Sequence, residues 1–522
     1  MPGPDWRRSD SAALAGLIAL SFVTHVAFLN DIPWRYHFDE GFAYIETMRF
    51  YKGPAIPVFG TTWENISLPT LWFAIAALFM RLTGPTLAGL RLGVAVVGAL
   101  TVLPVYGIGR LLWERLAGAL AGFAVAVSAA YVHYSRVSIL NVTTPFAWAV
   151  CFYFLLKGLG SRRPSDFMWS GLAAGVSMYT YYGARLLPYV LAAFVLYLVV
   201  FHFRGFRQRL PQFALMAVSS LAGFGPLLGY FLLHPQMWYS RALSRLSVPP
   251  AIPTTLEALT RDWKILAPLA ARNFLAIGVL PSRDTVWYNP LLLAPEAALV
   301  ALGGGLLLLR WRQPGSFLVL LWALSVILTG PTLLDAGTVP NLNQWSPAFP
   351  TFCLAMALPV ALFFGTLLER RKAPVRVAAA VTMSALLAAD LAANGYCYLV
   401  RYPARVPADH SLEALQGRYA ASVAPNTHVL VVGKSWVPVY AEMDRLVAPA
   451  TPVTALLDPE KELPLSGESG HNLAFVFYND MFRYVHTVRK IYPGGMLSAL
   501  RTPDGTLVAY GYFVPAAGAS KA

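Results

Sequence analysis

The stretch "LPTLWFAIAALFMR" (residues 68–81) decides how this chain is threaded through a bilayer. Its apolar part, 68–80, has only 13 residues, has Pro69 near its start and stops at Arg81. Crossing a hydrocarbon core of ~30 Å takes about 20 apolar residues. Around it lie further apolar runs at 11–29, 92–108, 116–134, 142–159, 167–182, 186–203, 213–233, 291–309, 317–334, 348–368 and 377–399. If 68–80 also crosses, the chain has twelve spans and its basic connectors fall outside, against the positive-inside rule. If it does not, eleven spans remain and the charge resolves. The cytoplasmic connectors then hold fourteen basic residues: Arg110, Arg115, Lys157, Arg162, Arg163, Arg204, Arg207, Arg209, Arg310, Arg312, Arg370, Arg371, Lys372 and Arg376. The three short outer connectors hold two, Arg136 and Arg185. Residues 68–80 are thus expected to form a helix at the outer interface, with Ser67 as its cap and Pro69 in the first turn.

Composition agrees with this reading. Of 522 residues, 57% are hydrophobic and 13% charged, with a mean hydropathy of +0.54. Soluble chains carry about twice that share of charge. The net charge of +14 reflects cytoplasmic Lys and Arg, and nucleic acid is not an expected partner. Cys151, Cys353 and Cys397 lie in or near apolar runs and offer no disulfide framework or CxxC site. Arg7 and Arg8 precede the run 11–29, and no small-residue cleavage site follows, which reads as a retained first span.

From about residue 401 the pattern changes. Residues 427–433, 473–479 and 507–514 read as strands, and 479–495 as a capped helix ending at glycine. The expected fold class is therefore an α-helical polytopic membrane protein, with about eleven transmembrane helices plus an interfacial helix over 1–400. A small C-terminal soluble α/β domain follows over 401–522, on the outer side.

Several chemical signals fail. "VVGKS" (431–435) suggests a phosphate loop, but the glycine required five residues before Gly433 is His428. No HExxH, no GxGxxG in the right context and no Asp-x-Asp occurs. The outer side says more. "WRYHFDEGFAY" (34–44) carries His37, Asp39 and Glu40, with Glu46 following, and a short helix from Gly41 could present these acids together. A carboxylate there can take a proton from an attacking hydroxyl; on residue types alone, ordinary solvated loop charge is the favoured reading. Arg91, Arg136 and Arg185 each end a span on the outer side, beside Tyr131, His133, Tyr134, Tyr179, Tyr181 and Tyr182. Arginine forks suit phosphate, whereas snorkelling to headgroups and an aromatic belt are the bland alternatives. Glu296 and Asp390 lie inside spans, where structural pairing competes with function.

Taken in order, these features resemble the polytopic C-type glycosyltransferases, which include the protein O-mannosyltransferases and the aminoarabinose transferase of lipid A. The resemblance is carried by an outer loop with an Asp-Glu pair, an interfacial helix and "LRL" (90–92). "HYSRVSILN" (133–141), "YTYYGARLLP" (179–188), "NLNQWSPAFP" (341–350) and "YPGGMLSALRTPDGTLVAYGYFV" (492–514) add to it. The resemblance implies an inverting transfer of sugar from a polyprenyl-phosphate carrier to an acceptor hydroxyl, at the extracytoplasmic face of the cell membrane. It implies Asp39 as acceptor base and Glu40 as its partner. Arg136 is implied near the donor phosphate, with Arg91 and Arg185 beside it. His37, Glu64, His133 and Tyr182 are candidate pocket residues. Some relatives carry an acidic residue shortly after the arginine, where this chain has Asn141. A second carboxylate or a divalent metal would then involve Asp284 or Asp335, so metal dependence stays open. The competing classes are a lipid or small-solute transporter or flippase, and a scaffold acting through the tail. Neither accounts for polar residues gathered at one face and an Asp-Glu loop.

Overall fold

The computed structural model describes residues 8–33, 37–53, 57–62, 68–238, 263–283, 286–333, 339–370, 372–406, 412–433, 437–448, 450–465, 470–478, 481–501 and 505–516. The chain divides into two compact units. The first comprises Met1–Ala27, Ile56–Trp72 and Val94–Ala404; the second comprises Phe28–Ala55, Phe73–Gly93 and Arg405–Ala522.

The first unit is a helical bundle. Among the described residues, six helical stretches are long and apolar enough to cross a membrane, and four apolar helices are shorter. Helix Arg8–Val26 leads. Helices Leu87–Leu100 and Val102–Val127 follow as one run, broken at Trp113 (φ −143°) and at Glu114, whose φ of +78° reverses the chain. A Cβ on Gly109 would lie 2.9 Å from the Gly118 Cα, so the two arms pack backbone to backbone. This break is the connector expected between runs 92–108 and 116–134. Arg110 and Arg115 flank it and hold the buried Asp10 carboxylate at 2.9 and 3.1 Å. The basic connectors also touch one another: Arg209 donates to Leu159 O (3.1 Å) and His202 meets Arg312 O (3.0 Å). At the opposite helix ends, Asn141, Tyr181, Gln344 and Ser346 are joined by hydrogen bonds such as Ser346 Oγ to Asn141 O (2.7 Å). The basic connectors and this uncharged polar group thus lie at different ends of the bundle.

Helices Thr144–Ser161, Pro164–Ser177, Leu187–Phe201, Leu210–Leu233, Ala294–Leu309, Pro314–Leu333, Phe349–Arg370 and Ala373–Tyr396 complete the expected runs. One helix was not expected. Trp263–Ala276 falls between the runs 213–233 and 291–309, where the sequence offered no unbroken apolar run. Pro268, Arg272 and Asn273 interrupt its apolar run and conceal it. In the structure Asn273 is buried, and its Nδ2 donates to Ile327 O at 3.0 Å.

Small residues set one close helix pair. Gly171 and Gly175, four apart on Pro164–Ser177, face helix Leu210–Leu233. Cβ atoms on them would lie 2.0 Å from Met216 O and 2.2 Å from Ser220 O. This is the small-xxx-small device of membrane helices. Gly171→Ala is expected to destabilise the protein by about 1–3 kcal/mol through overpacking, read as a lower unfolding temperature in detergent. Gly225→Ala, with no atom within 4 Å of the added carbon, serves as the neutral control.

In the second unit, helix Leu71–Thr83 contains most of the expected interfacial run. At ~1.5 Å per residue it spans about 20 Å, too little to cross. Its start differs from expectation. Ser67 lies outside the described residues, and Pro69 sits in a β-bridge with Thr61 rather than in the first turn. The C-terminal part is a five-stranded sheet built from β1 (Thr427–Val432), β2 (Val453–Leu456), β3 (Asn472–Tyr478), β4 (Met496–Arg501) and β5 (Leu507–Val514). Their order is β2-β1-β3-β5-β4. β1 is parallel to β2 and β3, while β5 is antiparallel to β3 and β4. Leu473, Ala474, Phe475, Val476 and Phe477 are all 0% exposed; such a run is buried on both faces. Helix Arg483–Ile491 covers the expected 479–495 region over fewer residues. β2 and β4 were not expected: one has four residues, and the other is an exposed edge strand without β-branched residues.

Candidate functional site

The Asp-Glu loop folds as the start of helix Phe38–Lys52, three residues earlier than the expected start at Gly41. His37 is its N-cap, with φ −94° and ψ 148°. The Asp39 N–H donates to His37 Nδ1 at 3.1 Å, and the His37 N–H donates to Glu40 Oε2 at 3.0 Å. These reciprocal bonds satisfy helix-end donors as a capping box does. Accepting at Nδ1 requires the neutral tautomer with its proton on Nε2. His37 is therefore a buried cap. Gly53, at φ +145°, ends the helix in a conformation that favours glycine.

Successive helical residues point ~100° apart, so Asp39 and Glu40 cannot share a direction. Glu40 is buried. Arg91, itself 0% exposed, grips it bidentately, Nε to Oε1 at 2.7 Å and Nη2 to Oε2 at 2.8 Å. Arg91 Nη1 also donates to Leu29 O (3.0 Å) and Pro33 O (3.2 Å). The pair thus ties the loop and the first turn of one helix to helix Leu87–Leu100, and Arg91 is a brace rather than an open phosphate fork. Glu46 is also buried, 3.5 Å from Arg49. The three acids expected on one face are separated, and only Asp39 projects outward. Its side chain is 50% exposed, 3.6 Å from His37 Nδ1, in the first turn of a helix whose dipole favours a carboxylate.

In the first unit the remaining candidates fall into two places. Arg136 ends helix Ala129–Arg136 and is 3% exposed. It donates to Thr24 O at 2.7 Å and to Ala27 O, closing the carbonyl end of helix Arg8–Val26. His133 is packed among aromatics, 4.5 Å from Tyr402 and 5.3 Å from Trp287 between ring centroids. Its Nε2 meets Val286 O at 2.8 Å, so it is a core residue rather than a pocket wall. Arg185 differs. It is half-buried with its guanidinium 4.4 Å from the Tyr182 ring centroid and 4.2 Å from that of Trp238, and Nη1 donates to Trp238 O at 2.7 Å. Among the described residues its Nε and Nη2 have no hydrogen-bond partner.

Asn141 is buried and bonded to Asn343 O at 2.8 Å. Glu64, Asp284 and Asp335 lie outside the described residues. Among the described residues, no three His, Cys, Asp or Glu side chains gather as a metal site. Glu296 has a structural partner: its Oε1 accepts from Asn394 Nδ2 at 2.8 Å, and Asn394 Oδ1 accepts from Ala129 N at 2.8 Å. Beside Glu296 and Asp390 opens an apolar cavity of about 650 Å³, walled by residues such as Phe123, Leu299, Met356 and Leu386.

The family model described as "Dolichyl-phosphate-mannose-protein mannosyltransferase" matches residues 67–230. No curated protein matches the chain in sequence. Among solved structures, ArnT from Cupriavidus metallidurans bound to undecaprenyl phosphate is similar in fold, with a TM-score of 0.57 at 16% identity. That match covers 96% of this chain and 97% of ArnT. The oligosaccharyltransferase AglB from Archaeoglobus fulgidus, in complex with an inhibitory peptide and a dolichol-phosphate, is similar with a TM-score of 0.52 at 13% identity. Here 97% of this chain and 74% of AglB are covered. By the family model over residues 67–230 the chain is similar to the dolichyl-phosphate-mannose-protein mannosyltransferases, and over nearly its whole length it shares the fold of the membrane glycosyltransferases ArnT and AglB.

Proposed function

We propose that the protein transfers a sugar from a polyprenyl-phosphate carrier to an acceptor hydroxyl, with inversion at the anomeric carbon. Asp39 takes the hydroxyl proton as the oxygen bonds to that carbon. The bond from carbon to phosphate oxygen breaks, and polyprenyl phosphate leaves with its charge stabilised by arginine donors. The observation that carries this reading is the contrast at one helix start: Glu40 is sealed against Arg91 while Asp39 stays half-exposed. Arg91 and Arg136 direct donors at protein oxygens, which argues against either as an open phosphate fork. The ligands of the ArnT and AglB structures, undecaprenyl phosphate and dolichol-phosphate, support a carrier of this class. An apolar cavity of about 650 Å³ offers surface for an isoprenoid chain. The decisive experiment incubates the purified protein with a panel of polyprenyl-phosphate sugars and measures released polyprenyl phosphate. No release from any donor would refute the reading.

The site and the C-terminal domain, residues 401–522, are proposed to face outward from the cell membrane, as span parity requires. All three native cysteines are buried, so introduced ones report cleanly. Cysteines at exposed Lys52 and Glu460 are expected to label with an impermeant reagent in intact cells, and one at exposed Arg163 to label only after lysis. The reverse pattern would invert the orientation.

A further inference from the structure

The helix that carries Asp39 has a second face. Glu40, Tyr44, Met48 and Tyr51 follow at spacings of four, four and three, a single stripe of an α-helix. Asp39 lies five positions before Tyr44, about 140° around the helix from it. The stripe is therefore the back of the helix with respect to the exposed carboxylate. It is covered along its length. Glu40 meets Arg91, as described. Below it, Tyr44 packs in one buried cluster with Met80, Leu87, Leu90 and Leu446, with Met48, Tyr51 and Val439 against them. Leu446 and Val439 belong to helix Val437–Val447 of the C-terminal domain. That helix is anchored on its other side, where Ala441, and Ala448 just past its end, pack in the core of the sheet domain. Arg445 Nε also donates to Val453 O at the start of β2. Glu442 sits close enough to Tyr44 to add to the upward shift that burial gives its phenol.

We propose that helix Val437–Val447 is a clamp through which the C-terminal domain fixes the Asp39 helix, with Leu446 and Val439 as positioning residues. The inference rests on the reading of Asp39 as the base. A carboxylate in the first turn moves with its helix. A ~1 Å displacement of a reacting group can cost ~10²-fold in rate, so loss of the clamp acts on the chemical step. Substrate binding elsewhere is spared.

The test uses the full-length protein in detergent. Leu446→Ala is expected to speed amide hydrogen exchange across Phe38–Lys52 and lower kcat about ten- to a hundredfold, with KM for the donor little changed. Leu446→Met, which conserves volume, is expected to restore both. Val488→Ala is the control, since it trims the core of the same sheet domain outside the Tyr44 cluster. It is expected to lower the unfolding temperature without changing exchange in the Asp39 helix. Unchanged exchange in Leu446→Ala would overturn the clamp, whatever the activity. Faster exchange with full kcat, in an enzyme that Asp39→Asn inactivates, would overturn the positioning role. Full activity of Asp39→Asn is a separate result: it removes the proposed base, and with it the catalytic half of this inference.

Discussion

Asp39→Asn is expected to reduce release of polyprenyl phosphate by about 10²–10⁴-fold while leaving folding intact. The amide is nearly isosteric with the carboxylate but cannot accept the acceptor's proton. Fold is spared because the Asp39 backbone, not its side chain, holds the helix start: its N–H donates to His37 Nδ1 at 3.1 Å. The side chain is 50% exposed, so no buried partner is orphaned by the change. The expected signature is a fall in kcat with donor KM and unfolding temperature near wild type. Asp39→Glu keeps a carboxylate but lengthens its reach, and partial activity is expected of it. An Asp39→Asn enzyme with wild-type turnover would remove Asp39 from the mechanism.

Much of the bundle was legible because hydrocarbon length and loop charge are written directly into the sequence. The break at Glu114 sits between the Arg110 and Arg115 that marked it as a connector. Trp263–Ala276 was hidden because Pro268, Arg272 and Asn273 break its apolar run, and the bond from Asn273 Nδ2 to Ile327 O is one that no local pattern shows. The Gly171–Gly175 spacing was readable as a close-packing signal, although its partner helix was not. In the C-terminal domain the long buried strands announced themselves, whereas four-residue β2 and exposed β4 lacked the expected period.

The candidate site was legible in residue type and not in role. His37, Asp39, Glu40 and Arg91 do come together. Sequence alone placed the two acids side by side in function, but the helix start at Phe38 turns one inward and one outward. The His37-to-Glu40 spacing was the available clue, since a cap followed three residues later by Glu marks a helix start. Arg91 and Arg136 sit at span ends, where a single sequence cannot tell a headgroup ligand from a brace. Their buried carbonyl and carboxylate partners lie 51 to 112 residues away.

That distinction has a measurable consequence at Arg91. Removing it leaves the Glu40 carboxylate buried without its countercharge, a change that costs about 3–5 kcal/mol. Whole-protein stabilities are of order 5–15 kcal/mol, so Arg91→Ala is expected to lower the unfolding temperature sharply and abolish activity together. Arg91→Lys is expected to recover little, because an ammonium cannot reproduce a bidentate grip plus bonds to Leu29 O and Pro33 O. The double variant Glu40→Leu/Arg91→Leu separates stability from function. Replacing a buried ion pair by apolar residues often restores stability, so its unfolding temperature is expected to rise well above that of Arg91→Ala. Activity is not expected to return, since the His37 N–H loses Glu40 as its acceptor and the first turn carrying Asp39 loses its tie. A phosphate ligand would behave differently: Arg91→Ala would then raise donor KM and leave thermal stability unchanged, and that outcome would restore Arg91 to the donor site.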